Sequence, residues 1–205
     1  CSMMYYDQVT KLSNGSESPA GVDIKLRIEP SDFVSLVGHS GAGKTTLLKM
    51  LFAEVQPTEG SVYFGSQEIG GLSARELLKL RRHIGTVFQD FRLLPTKTVY
   101  ENIAFALEVA GKSDEDIEAD VPHVLELVGL LDKMWNFPSQ LSGGEQQRIA
   151  IARAIVNQPD VLIADEPTGN LDPVNAHDVV QILKKINDLG TTVLLTTHNT
   201  GVVES

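Results

Sequence analysis

The stretch Gly38-His39-Ser40-Gly41-Ala42-Gly43-Lys44-Thr45 constrains this chain more than any other. It fits G-x-x-x-x-G-K-[ST], a loop that cradles phosphates and works only between a strand and a helix. Its glycines let successive backbone N–H groups turn inward around a polyphosphate, and the helix that follows adds the positive end of its dipole. Lys44 then reaches the β- and γ-phosphates, the Thr45 hydroxyl holds Mg²⁺, and Thr46 adds a phosphate contact. The flanks supply the required context, with an apolar run at Phe33–Val37 before the loop and a helical pattern over Thr45–Phe52 after it. A nucleoside triphosphate is the implied ligand.

Strand-like runs recur at Met3–Val9, Val22–Ile28, Phe33–Val37, Ser61–Phe64, Ile84–Phe88, Val161–Ala164 and Thr192–Thr196. Phe33–Val37, Val161–Ala164 and Thr192–Thr196 are almost wholly apolar or β-branched, as strands covered on both faces are. Between them, Ser73-Ala-Arg-Glu76 and Thr98-Val-Tyr-Glu101 have capping-box spacing and each opens a helix. Asp172-Pro173 opens another, which Gly190 ends. This alternation predicts an α/β domain with a mainly parallel sheet. From Thr98 to Asn157 helix signals crowd together without a strand, and Pro122 is expected to divide one long helical stretch in two. The expectation is a single domain over residues 1–205. Its α/β core is formed by 1–88 and 158–205, with a helical subdomain inserted at 89–157.

The chain is large enough for one substantial core. Its 17 Lys and Arg against 27 Asp and Glu give a formal charge of −10, the opposite of a nucleic-acid footprint. No segment approaches the roughly 20 apolar residues of a membrane span, so a role at a membrane requires a separate spanning chain. The single cysteine, Cys1, excludes an internal disulfide. Cys1 and Ser2, ahead of Met3-Met4, read as an addition to the natural start.

Two further elements carry chemistry. Val161-Leu-Ile-Ala-Asp165-Glu166 is an apolar strand ending in two carboxylates. Beside a phosphate loop, the first suits a Mg²⁺ contact and the second a base for an attacking water. Leu141-Ser142-Gly143-Gly144-Glu145-Gln146-Gln147-Arg148 offers a hydroxyl, bare backbone N–H groups and a helix N-terminus at one point, a second anion site running into a helix to about Asn157.

This last segment resembles the signature motif of the ATP-binding-cassette (ABC) ATPase family, and the other motifs fall in that family's order. The resemblance covers essentially the whole chain. It implies a P-loop fold with a RecA-like core, a small antiparallel β subdomain and an inserted helical subdomain. It also implies ATP and Mg²⁺ as ligands, and a head-to-tail pair of copies in which each signature motif (Ser142, Gly143, Gly144) closes on the other copy's nucleotide. By the same resemblance Gln89 is the Q-loop glutamine that touches Mg²⁺ and water, and Gly169-Asn-Leu-Asp172 is the D-loop crossing the dimer interface. Asp165 becomes the metal-side acid, Glu166 the catalytic base, and His198 the switch histidine at the γ-phosphate. The nucleotide-binding set is then Gly38, His39, Ser40, Gly41, Ala42, Gly43, Lys44, Thr45, Thr46, Gln89, Ser142, Gly143, Gly144 and Asp172. Lys44, Gln89, Glu166 and His198 carry catalysis, and Thr45, Gln89 and Asp165 face the metal. The family commonly stacks an aromatic residue on adenine just after the first strand. Leu12 or Ser13 stands there, while Tyr5 and Tyr6 read as core and surface positions of that strand. Related domains continue past the position of His198, so a further C-terminal portion is expected.

Phe88-Gln-Asp-Phe91-Arg-Leu93-Leu94-Pro95 closely resembles the equivalent stretch in the cell-division branch of the family. That implies an integral membrane partner (FtsX or a similar permease), a place on the cytoplasmic face of the cell membrane, and transmitted motion that controls cell-wall hydrolases. Phe91, Leu93 and Leu94 are the candidate docking residues. The alternative within the family is the ATPase of a lipoprotein-releasing or MacB-like export complex. DNA-repair ATPases with the same motifs carry a long coiled coil where this chain has only the stretch from Gln89 to Leu141. The presence of Lys44, Asp165, Glu166 and His198 together argues against a catalytically silent module.

Overall fold

The computed structural model of the chain describes residues 4–12, 19–38, 41–52, 54, 56–199 and 201. A four-stranded sheet runs in the order β3 (Phe33–Val37), β8 (Thr192–Thr197), β7 (Val161–Asp165), β6 (Ile84–Phe88), all parallel. Alternation explains how this sheet is covered. Ile84, Val161, Ile163 and Leu194 face one core, shared with Leu48, Met50 and Leu51 of helix α1 (Gly41–Leu51). Val87, Leu162, Ala164, Val193 and Leu195 face the other, with Ile151 of α5 (Gly143–Ile155) and Val179, Leu183 and Ile186 of α6 (Pro173–Asp188).

The register decides where chemistry is possible. Val37 pairs with Thr197, Asp165 with Thr196, and Phe88 with Asp165. All the strands therefore end at one rim, and the next residues, Gly38, Gln89, Glu166 and His198, emerge together at their carboxyl ends, where open parallel sheets bind ligands. β7 and β8 each run one residue beyond their predicted ends, which fixes Asp165 and Thr197 in the rim itself.

A second four-stranded sheet is antiparallel, in the order β2 (Pro19–Ile28), β1 (Met4–Leu12), β4 (Glu59–Phe64), β5 (Gln67–Glu68). β1 and β2 are longer than predicted because Lys11 and Leu12 pair with Gly21 and Pro19 beyond register shifts. Met4, Tyr6, Val62 and Phe64 pack into the α1 core. Burial pushes the Tyr6 hydroxyl well above its ordinary pKa, and it donates to the carbonyl of Leu47.

Helices α3 (Val99–Val109), α4 (Asp114–Leu127) and α5 share a third core around Ile103, Leu107, Val121, Leu125 and Ile149. Helix α2 (Ala74–Arg81) and α3 begin at the predicted capping boxes. Pro122 does not divide a helix: α4 runs through it. The break falls earlier, at Gly111 with φ +79°, and Ser113 then caps α4 by accepting from the Asp116 N–H. Proline removes one N–H from the ladder, and the burial of Val121, Val124 and Leu125 outweighs that loss. No helix among the described residues is long and apolar enough to cross a membrane.

Candidate functional site

Gly38 follows β3, its N–H donating to the Thr197 carbonyl (3.3 Å), and Gly41 to Thr46 form the first turns of α1. A side chain at Gly38 would meet nothing within 4 Å, so the space beside this backbone is open. His39 and Ser40 lie outside the described residues, as do Ser13 and the side chains of Thr45 and Thr46. Lys44 is buried at the rim. Its Nζ donates to the carbonyls of Gly38 (2.7 Å) and Thr197 (2.9 Å) and to Oε1 of Glu166 (3.3 Å).

Glu166 is the hub of this cluster. Thr196, its neighbour across the sheet, accepts from the Glu166 N–H at both its carbonyl (3.0 Å) and its hydroxyl (3.1 Å), while that hydroxyl donates to Asp165 Oδ1 (2.6 Å). The Glu166 backbone is left-handed, φ +48°, a conformation that non-glycine residues hold only when their surroundings impose it. It turns the side chain so that Oε1 meets Lys44 while Oε2 meets the ring Nδ1 (2.9 Å) and the backbone N–H (3.3 Å) of His198. An ionised carboxylate only accepts, so Nδ1 carries the proton in this pair. A carboxylate so held, between an ammonium and an imidazole, is placed to take a proton from water.

The segment after β6 is fastened by side chains from elsewhere in the chain. Gln147, fully buried on α5, donates through Nε2 to the carbonyls of Phe88 (2.9 Å) and Pro167 (2.6 Å). Gln89 and Asn170 exchange hydrogen bonds: Gln89 Nε2 to Asn170 Oδ1 (2.9 Å) and Asn170 Nδ2 to the Gln89 carbonyl (3.2 Å). Phe91 and Arg92 are both left-handed, φ 38° and 55°, and Arg153 of α5 donates to both their carbonyls. Burial draws the Arg153 pKa down. The Arg92 guanidinium lies over the Phe88 ring, 3.7 Å from its centroid. Asn102, also fully buried, accepts from the Leu94 N–H and donates to the carbonyls of Leu94, Lys97 and Thr98. Of the candidate docking residues, Leu94 is exposed, Phe91 is half-buried, and Leu93 packs against the helical core.

Ser142 caps α5 in a full capping box: its Oγ accepts from the Glu145 N–H, and Glu145 Oε1 accepts from the Ser142 N–H. These bonds, the backbone one foremost, hold the Glu145 carboxyl below its usual range. Gly144 is buried against Asn175, and a β-carbon there would stand 2.6 Å from Asn175 Cγ. Asn175 in turn donates its backbone N–H (2.8 Å) and its amide (2.9 Å) to Asp172, the cap of α6, which lowers the Asp172 pKa. Among the described residues no hydrogen bond or ion pair joins Ser142–Gly144 or Asp172 to Lys44, Asp165, Glu166 or His198. Nor do three or more His, Cys, Asp or Glu cluster as a ready metal cage among them. The Asp165 carboxylate at the end of β7 instead suits Mg²⁺, which takes oxygen ligands and keeps phosphate and water among them.

The sequence profile described as ABC transporter matches residues 22–169. The chain belongs to the ABC transporter family. It is 52% identical over 203 residues to the cell division ATP-binding protein FtsE of Mycobacterium tuberculosis, covering 99% of this chain and 88% of that one. It is 45% identical over 201 residues to the protein of the same name from Escherichia coli K12, covering 98% and 90%. Among solved structures, the dimeric post-hydrolysis state of the ATP-binding cassette MJ0796 bound to ADP and Pi superposes with a TM-score of 0.82 at 38% identity, covering 97% of this chain and 89% of that one. CbiO1 from Clostridium perfringens, part of the ABC transporter complex cbiONQ, gives 0.89 at 28%, covering 98% and 80%. The fold is thus the P-loop fold of ABC cassettes, with its parallel and antiparallel sheets and its helices.

Within this ABC chain, sequence reasoning passed over Gln147, Arg153, Asn102 and Asn170 as site-shaping residues. Gln147 left a faint signal, a polar residue on the stripe Gly144–Gln147–Ile151 that α5 turns inward. Arg153 left none, because its partners are backbone carbonyls remote in sequence. Asn102 left none although its partners Leu94, Lys97 and Thr98 are near in sequence, because they are backbone groups that no residue type marks.

Proposed function

We propose that this chain, an ABC-type ATPase, is the ATP-binding and ATP-hydrolysing subunit of a bacterial cell-division complex of the FtsEX kind. The observation that carries the chemistry is Glu166 held between Lys44 and His198 at the mouth of the phosphate loop. The cell-division assignment is supported by identity of about half, over nearly full length, to proteins named FtsE, which favours it over lipoprotein release or export. The chain then acts as one ABC domain, with 89–157 as its helical subdomain and 1–88 and 158–205 as its α/β core.

ATP seats its phosphates on Gly38–Thr46, and Lys44 exchanges its bonds to Gly38, Thr197 and Glu166 for phosphate oxygens. Freed of the ammonium, Glu166 accepts the proton of the attacking water, which His198 and Gln89 orient. Mg²⁺, held by Thr45, Asp165 and Gln89 beside the phosphates, supplies charge neutralisation when bound. The separation of Ser142–Gly144 from this cluster within one chain supports a head-to-tail pair, and the MJ0796 structures, which are dimeric, support a pair of copies. Each signature helix N-terminus then closes on the nucleotide of the second copy, with Asp172 at the seam. The chain sits peripherally on the cytoplasmic face of the cell membrane. Its partner FtsX docks at the loop of Phe91 and Leu94, and dimer closure is relayed to cell-wall hydrolases.

A pull-down with Mg²⁺–ATP from membranes of the source organism, with bound proteins identified, tests this reading. Recovery of FtsX, lost on substitution of Phe91 and Leu94, is the expected result. Recovery of an export permease instead would move the chain to another complex and leave its hydrolytic chemistry standing.

A further inference from the structure

We propose that Asn170 is a positioning residue for Gln89, fixing which end of the Gln89 amide faces the phosphate-bound cation. The inference rests on the metal-side role proposed above for Gln89. The two ends of a glutamine amide have the same shape and opposite chemistry. Oε1 ligates a cation or accepts from water; Nε2 does neither. Packing alone does not tell them apart, so something must set the polarity.

A chain of hydrogen bonds starting at a backbone group sets it here. The Gln89 carbonyl can only accept, so the end of Asn170 facing it (3.2 Å) is Nδ2. The other end, Oδ1, therefore faces the Gln89 side chain, and it too can only accept. The Gln89 atom meeting it at 2.9 Å is accordingly Nε2. Oε1 is the end left for a ligand.

The surroundings suit this use. Gly169 lies directly beneath the amide: a β-carbon there would stand 2.6 Å from Gln89 Cδ, 2.7 Å from Nε2 and 3.0 Å from Oε1. The Gly169 N–H donates to the Glu166 carbonyl, so the turn carrying Asn170 is tied to the residue proposed as base. The Gln147 and Arg153 bonds to Phe88, Phe91 and Arg92 hold the backbone on either side of Gln89. Side-chain orientation is then the freedom left to Gln89, and Asn170 removes it. Both amides are exposed, so truncating Asn170 costs the fold little.

The experiment measures ATP affinity in Mg²⁺ and in EDTA with a fluorescent ATP analogue, in a Glu166→Gln background that prevents turnover. The ratio of the two dissociation constants isolates the contribution of the metal. Asn170→Ala is expected to cut that ratio roughly three- to tenfold, the worth of about one hydrogen bond, with affinity in EDTA unchanged. Gln89→Ala is expected to cut it at least as far, and adding Asn170→Ala to Gln89→Ala to do nothing more. If Gln89→Ala left the ratio unchanged, the metal-side role of Gln89 would fall and this inference with it. If Gln89→Ala lowered the ratio while Asn170→Ala did not, or if the two losses simply added, Asn170 would not orient Gln89, and the role of Gln89 would survive. Equal losses for Asn170→Ala in Mg²⁺ and EDTA would likewise overturn the proposal, as a structural defect spares neither.

Discussion

Replacing Gln147 by leucine removes an amide that joins the end of β6 to the turn after Glu166, the residue proposed as base. Leucine is close in volume, so no large cavity opens, and the effect reduces to hydrogen bonds. Two carbonyls, Phe88 and Pro167, lose their donor. A carbonyl left unpaired in the interior costs about 1–3 kcal/mol, with the lower end applying to Phe88, where water can reach. Against this, Gln147 Oε1 is itself buried without a partner, and its removal returns about 1 kcal/mol. The balance is a loss of about 2 kcal/mol, which for a domain of this size lowers Tm by roughly 4–8 °C. Turnover should fall further than stability accounts for. The freed carbonyls adjoin Gln89 and Glu166, and displacements on the order of 1 Å at such groups cost up to about 100-fold in rate. Lys44 and the phosphate loop are untouched, so ATP affinity measured in EDTA should hold. Thermal melts and phosphate-release kinetics on the folded variant decide the matter. Unchanged Tm together with unchanged kcat would refute the reasoning, and a lowered Tm with full kcat would reduce the two bonds to scaffolding.

Other expectations are as direct. Gly85→Ala should destabilise by about 2–3 kcal/mol, because its β-carbon would stand 2.6 Å from the backbone carbonyl of Ala154, which cannot swing aside; a melt matching the parent would show that β6 and α5 separate freely. The capping box of the signature helix should weaken in acid. Its Glu145 pKa is lowered in the folded chain, so its stabilisation is present above the unfolded value, about 4.3, and is lost as pH falls through the folded value. Glu145→Gln keeps an acceptor but does not titrate, so the Tm gap between parent and variant should close on acidification; a gap independent of pH contradicts the assignment. Glu166→Gln should bind ATP, hydrolyse it very slowly and accumulate as a dimer in size-exclusion chromatography, and brisk turnover would move the base elsewhere. Lys44→Ala should lose nucleotide binding, read by equilibrium dialysis, and retained affinity would count against the phosphate loop.

Much of this protein is written locally in its sequence. A phosphate cradle must be contiguous, since adjacent N–H groups form it, so the motifs Gly38–Thr45 and Ser142–Gly144, proposed as such cradles, stand out without a fold. Capping boxes span four residues, and Ser73 and Thr98 open their helices where the spacing says. β7 and β8 betray their burial by unbroken apolar runs, whereas the equally apolar run of β3 lies at the end of the strand order and is only half-buried, with Val37 exposed. Local signals failed at Pro122, where burial of the α4 face outweighed a missing N–H, and at the bulged far ends of β1 and β2.

The tertiary structure alone decided how these pieces act together. The register that aligns Phe88, Asp165 and Thr196 brings Gln89, Glu166 and His198 to one rim from strands far apart in sequence. The bonds that fix the site there, Gln147 to Phe88 and Pro167, Arg153 to Phe91 and Arg92, and Asn170 to Gln89, each end on a backbone carbonyl or on a side chain oriented by one. Every residue carries a carbonyl, so no residue type marks the acceptor. Only the path of the folded chain selects which one a buried amide or guanidinium will meet.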